Sequence, residues 1–291
     1  MKHCILIIAH NNFKQLQLLL SVLDDNRFDI YIHLDKKVKL IPKLTCVNSQ
    51  LHILSNRIDV RWGDFSQVQA EMELFQTAFN NGPYQIYHLI SGVDFPVHSI
   101  DYIHRFIVNH PNKEFVGFSN DPKIQYENRI LKYHLFTKYY KVSNFIGSRI
   151  LFHIRNYMER IINFFIKRNV DFELKKGANW VSITNEFCEY LLSKKDFIHK
   201  YFNHSYCVDE IYKQTLLWNS PFKNRLFCST DEMEGCMRLI DWNRGLPYIW
   251  GENPNKDMEQ VKNSSRLFVR KIDLNKYPEF VRVLCKYLKN E

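Results

Sequence analysis

The sequence predicts a wound α/β fold, and three observations predict it. An apolar run at residues 5–9 is followed by Leu16, Leu19, Leu20 and Leu23 at helical spacing, and then by a second apolar run, Phe28-Asp-Ile-Tyr-Ile-His-Leu34. Continuous apolar runs suit strands covered on both faces, and strand–helix–strand order opens a parallel sheet. Gly and Pro are scarce, nine of each in 291 residues, so a flexible linker between domains is not expected. A single domain is expected, with residues 1–118 as a wound α/β half and residues 119–291 as a second half.

The elements follow in order. Strand ends at His10 and Asp35 lie where open α/β sheets place ligands, beyond the carboxyl ends of their strands. For Asp35 an ordinary turn acid is an equal reading. Val68, Met72, Phe75 and Phe79 share one face of a second helix, which Asp64 or Ser66 can cap. Residues 84–90 read as a strand, with Gly92 and Asp94 at its end. A helix over 99–109 and a strand over 114–118 complete the first half. Residues 208–218 read as one helix headed by an acid pair, Asp209 and Glu210, with Val208, Ile211, Thr215 and Trp218 on its buried face. Acids at a helix head commonly cap it, and a carboxylate fixed there can also serve as a general base.

Composition narrows the function. Forty Lys and Arg against 31 Asp and Glu give a net charge of +9, which favours anionic partners. No nucleic-acid motif accompanies that charge, so nucleic acid is not an expected partner. The seven cysteines show no CxxC spacing and read as reduced thiols. No run of about eighteen apolar residues offers a transmembrane helix. The N-terminal apolar run is too brief for a signal segment. A cytoplasmic protein is expected, held at most peripherally on the inner face of the cell membrane.

Residues 145–170 differ in character. Ile146, Ile150, Ile154, Tyr157, Ile161 and Phe165 form a helical stripe, interleaved with Arg149, Arg155, Arg160, Lys167 and Arg168. Such a helix either packs its stripe on the domain or lies on an anionic membrane, and a lipid-linked acceptor would suit the second case. No G-x-G-x-x-G, Walker A, metal-binding histidine pattern or Asp-x-Asp pair is present, so neither a nucleotide cofactor nor a divalent metal is called for.

Seven segments in order resemble the core-2/I-branching β-1,6-N-acetylglucosaminyltransferase family, which includes the peptide O-xylosyltransferases. They are Tyr31-Ile-His-Leu-Asp35-Lys36, Val60-Arg-Trp-Gly-Asp-Phe-Ser-Gln-Val68, His88-Leu-Ile-Ser-Gly-Val-Asp-Phe-Pro96 and Gly177-Ala-Asn-Trp-Val-Ser-Ile-Thr184. The others are Val208-Asp-Glu-Ile211 running on to Asn219-Ser-Pro-Phe222, Arg238-Leu-Ile-Asp-Trp242, and Leu267-Phe-Val-Arg-Lys271. The resemblance implies a GT-A-type glycosyltransferase with a Rossmann-like mixed sheet flanked by helices. It implies a UDP-sugar donor, a glycan or lipid-linked glycan acceptor, inversion and no metal.

By the same resemblance Glu210 is the catalytic base, with Asp209 capping its helix. His10, Asp35, Arg270 and Lys271 fall on the donor side, the two cations meeting the diphosphate. Glu127, Arg129 and Trp242 fall on the acceptor side. A second diphosphate arginine has no clear match; Arg244 and Arg266 are the candidates. The stem, membrane anchor and paired cysteines of the animal Golgi enzymes have no counterpart, so a compact bacterial member acting in surface polysaccharide or lipopolysaccharide synthesis is expected. A catalytically silent glycan- or nucleotide-binding module of the same fold is the alternative.

Overall fold

A computed structural model describes residues 2–120, 126–139 and 146–290, without the side chains of residues 146–151. Gln125 and the side chains of Ile146, Arg149 and Ile150 therefore lie outside what is described. The N-terminal strands are β1 (His3–Ala9), β2 (Phe28–Leu34), β3 (Leu51–Ile53), β4 (Ile86–Ser91) and β5 (Asp94–Pro96). Between them run α1 (Phe13–Leu23) and α2 (Ser66–Asn81), and α3 (Ile100–Asn109) follows. Next come α4 (Asn128–Leu131), α5 (Ile146–Phe165), β6 (Ser182–Thr184), α6 (Asn185–Ser193), α7 (Lys195–Phe202) and α8 (Tyr212–Trp218). The chain closes with α9 (Glu232–Cys236), β7 (Arg238–Ile240), α10 (Pro254–Lys262), β8 (Phe268–Arg270) and α11 (Pro278–Asn290).

Five strands form one sheet in the order β3-β2-β1-β4-β6, parallel except for antiparallel β6. The period-2 pleat of β1 divides the core. Ile5, Ile7 and Ala9 pack on one face with α1 and α11, while Cys4 and Leu6 pack on the other with α2 and α6. Both faces are covered, which is why these strands read as unbroken apolar runs. A second sheet, β5-β8-β7, pairs β5 antiparallel and β7 parallel to β8. Through β6 and β8 the second half of the chain builds directly onto the first.

Two expectations need correction. Residues 114–118 make only single bridges, Glu114 to Leu226 and Phe115 to Ser182. The chain then leaves the sheet to lie on a loop, where Ser119 N donates to the Lys176 carbonyl at 2.8 Å. Residues 208–218 are not one helix either. Val208–Glu210 is a 3₁₀ turn, and Ile211 breaks it from α8. Cys207 turns the chain in a left-handed conformation (φ 48°), and the Asp209 carbonyl accepts from Lys213 Nζ at 3.0 Å. At α2, Asp64 Oδ2 accepts from Ser66 N at 2.9 Å, so Asp64 tethers the start of that helix.

Candidate active site

The carboxyl ends of β1, β2 and β4 form one edge of the large sheet, and β8 meets it through β5. Register places Ala9 beside Leu34, Ile8 beside Ser91, and Asp94 beside Arg270. Gln15, buried on α1, fixes this junction. Its amide donates to the Gly92 and Ile272 carbonyls, each at 3.1 Å, and accepts from Leu274 N at 2.7 Å. Ile272 N donates to the Val93 carbonyl at 2.9 Å, so the Arg270–Lys271 pair is anchored beside the turn that ends β4.

Arg270 Nη1 donates to Asp94 Oδ1 at 2.8 Å and to Ser91 Oγ at 2.7 Å, and its guanidinium lies 4.8 Å from the Trp180 ring centre. Asp94 is buried and its other oxygen accepts from Ser91 N at 2.6 Å. Lys271 is half-buried, and its ammonium makes no hydrogen bond or ion pair among the described residues. His10 is exposed just past β1. Asp35 is buried past β2, where it accepts from Lys37 N at 2.8 Å and Lys37 Nζ at 2.6 Å. The Asp35 carboxylate is thus matched by a cation of its own turn.

Trp242 is 53% exposed in the turn after β7 and lines a cavity of about 720 Å³ with Asp241, Trp250 and Asn263. Ile240 pairs in register with Arg270, so this turn neighbours Lys271. Arg244 is committed elsewhere, to Asp241 at 2.5 Å and buried Asp257 at 2.9 Å. Arg266 precedes β8, at the end of that strand away from Lys271, and faces Asp231 at 3.8 Å.

Glu210 belongs to a second wall. Its Oε2 lies 3.0 Å from Arg129 Nη1 and 3.4 Å from Lys176 Nζ, with the side chain about a third exposed. The structure therefore joins Glu210 to Arg129, while Glu127 stays exposed at the head of α4. Two glycines permit this wall. Gly63 adopts φ +74°, and an added Cβ would meet the Tyr206 ring at 2.6 Å. Gly177, whose N donates to the Glu210 carbonyl at 2.9 Å, would place a Cβ 1.8 Å from the Gly117 carbonyl oxygen. Any larger residue there would force the chain at Gly177 away from the Gly117 backbone and disturb its bond to Glu210.

Beneath the wall sits a polar cluster that sequence reading missed. Lys213 Nζ donates to Glu71 Oε2 at 2.5 Å and Asn179 Oδ1 at 2.6 Å, and Tyr212 OH donates to the same Glu71 oxygen at 2.7 Å. Asp209 caps nothing: it is buried and accepts from Gln67 Nε2 at 3.2 Å. Burial, and then the neighbouring carboxylates Glu210 and Glu71, push its carboxyl up to about 7. Burial also raises Glu232, which the Lys176 ammonium opposes.

One segment ties the two walls together. Lys176 and Gly177 touch Glu210, and Trp180 lies over Arg270. Three residues of chain span at most ~11 Å between backbone positions, so the segment that bonds Glu210 lies close in the chain to the one that covers Arg270. Lys176 and Trp180 were not singled out by sequence, although both flank or belong to the Gly177-Ala-Asn-Trp180 segment. Among the described residues no group of three or more His, Cys, Asp or Glu is placed to hold a metal ion.

A family model described as Core-2/I-Branching enzyme matches residues 5–273. The chain belongs to that family. Membership makes the branching-family chain a glycosyltransferase of GT-A-like fold. Among solved structures it is similar to apo mouse xyloside xylosyltransferase 1, at 10% identity over 92% of this chain and 97% of that one, with a TM-score of 0.38. It is also similar to the S. aureus TarS fragment 1–349, at 13% identity and a TM-score of 0.27. That match covers 46% of this chain and 42% of the TarS fragment, so the chain spans under half of that relative. A comparison with curated proteins gives no match.

Proposed function

We propose that this branching-family chain transfers a sugar (N-acetylglucosamine, xylose or a hexose) from a UDP-sugar to a glycan hydroxyl, with inversion and without a metal ion. Bacterial surface polysaccharide or lipopolysaccharide is the expected context. The acceptor oxygen attacks the anomeric carbon from the face opposite the diphosphate and gives its proton to Glu210, as the bond to UDP breaks and the electron pair leaves with UDP. Arg129 and Lys176 hold the Glu210 carboxylate in one orientation, which favours proton capture from an oxygen delivered between the walls. Lys271 and Arg270 offset the charge developing on the leaving diphosphate. Trp242 offers an apolar ring face for an acceptor sugar.

The observation that supports this reading is the segment Lys176–Trp180, which contacts Glu210 at one end and the Arg270 guanidinium at the other. The test is UDP release and sugar transfer over a panel of UDP-sugars, with excess EDTA present. Activity should persist in EDTA, and Glu210→Gln should lower kcat by about 10²–10⁴-fold. A strict metal requirement would overturn the metal-free reading, and near-normal turnover of the variant would remove Glu210 as base.

A further inference from the structure

The 20-residue helix α5 is built inside out. Its inward residues are polar. Asn163 Oδ1 accepts from Tyr133 N at 2.7 Å, its amide donates to the Tyr133 carbonyl at 3.0 Å, and Glu159 Oε1 accepts from Leu135 N at 2.8 Å. Arg155 pairs with Glu159 at 3.7 Å on the same side. The apolar stripe faces out: Ile154, Tyr157, Met158, Ile161, Phe164 and Phe165 are exposed, Tyr157 by 67% and Phe165 by 77%. A contiguous apolar face of this kind marks an interaction site.

We propose that this face seats the protein on an anionic lipid bilayer, so that a lipid-linked glycan is delivered to Glu210 from the membrane surface; the substrate half of this inference rests on the function proposed above. Charge selects the occupant. Arg160 on the helix, Lys167 just after it and Lys138 before it are exposed, while the one acid of α5, Glu159, is turned inward. Phenylalanine and tyrosine rings flanked by cations match the boundary between acyl chains and anionic headgroups. No helix among the described residues is long and apolar enough to cross a membrane, so the contact is with the surface.

Position supplies the link to chemistry. Residues 133–135, which α5 grips, follow α4 directly, and α4 carries the Arg129 that holds Glu210. His134 Nε2 lies 3.1 Å from the Asn128 carbonyl, and Tyr206 N donates to the Arg129 carbonyl at 3.2 Å. The apolar face and the base are therefore two sides of one polar-bonded unit.

The test is co-sedimentation of the full chain with vesicles of phosphatidylcholine alone and of phosphatidylcholine with phosphatidylglycerol in equal parts, without donor or acceptor. Binding should require the anionic lipid and weaken with salt. Replacing both Phe164 and Phe165 by Ser should lower partition by about tenfold or more. Arg160→Gln and Lys167→Gln should each lower it by about fivefold. UDP release by all these variants should match the parent chain. Absence of binding, or equal binding by parent and Ser variant, would overturn the proposal. So would self-association that the Ser variant abolishes, with no vesicle binding. If vesicles bind but Glu210→Gln still transfers sugar, the catalytic reading fails and the surface stands.

Discussion

Lys213 and Glu71 meet beneath the Glu210 wall with both side chains fully out of water, whereas Arg270 and Asp94 meet at the sheet edge with the arginine side chain still 20% exposed. The first pair can serve only as scaffold. Its charges are spent on Asn179, Tyr212 and the Asp209 carbonyl, the very groups that shape the turn bearing Glu210. The second pair is a positioner with one side left open: Asp94 and Ser91 hold the guanidinium from within, and ligand can approach from without. Electrostatic rigidity is thus built in two ways, by depth beneath Glu210 and by strand register at the sheet edge.

Substitutions should separate the two. Lys213→Met strands Glu71 in the core and should cost about 3–5 kcal/mol in a urea titration. A loss below about 1 kcal/mol would mean the pair is not the wall's support. Asp209 gives a pH signature on the same wall. Folded, it keeps its proton to about pH 7; unfolded, only to about pH 4. Between those values the folded chain holds the extra proton, so stability falls as pH rises. Asp209→Asn removes that penalty. Its stability relative to the parent should grow from pH 4 to 7 by at most about 1.4 kcal/mol per pH unit, and stay level above. A difference independent of pH would place Asp209 in solvent.

At the sheet edge, the proposed donor side, the effects move from folding to binding. Lys271→Ala breaks no bond among the described residues, so it should leave the melting temperature in place and weaken UDP about tenfold by calorimetry, ~1.4 kcal/mol. Unchanged affinity would reassign the lysine to the surface.

The sheet edge was legible because strands covered on both faces announce themselves. Residues 5–9 and 28–34 were visible as runs, and His10 and Asp35 fall just past strand ends as expected. β3 and β5 were not visible, since three residues held by their neighbours carry no periodicity. The Glu210 wall was legible only residue by residue. Glu210 and Arg129 were named from family resemblance, but their contact spans 81 positions and that of Lys213 with Glu71 spans 142, beyond any local pattern. The break at Ile211 was hidden for the same reason, because a side chain from the next turn takes the carbonyl at Asp209. For α5 the pattern showed which residues share a face; only the bonds of Asn163 and Glu159 to residues 133–135 show that the polar face is inward.

The most direct measurement is a crystal structure of the chain with UDP bound. The diphosphate should lie within hydrogen-bond distance of Lys271 Nζ and beside Arg270, with the Glu210 carboxylate across the same cleft. A diphosphate bound elsewhere, or a Glu210 carboxylate opening onto a different surface, would contradict the two-walled site.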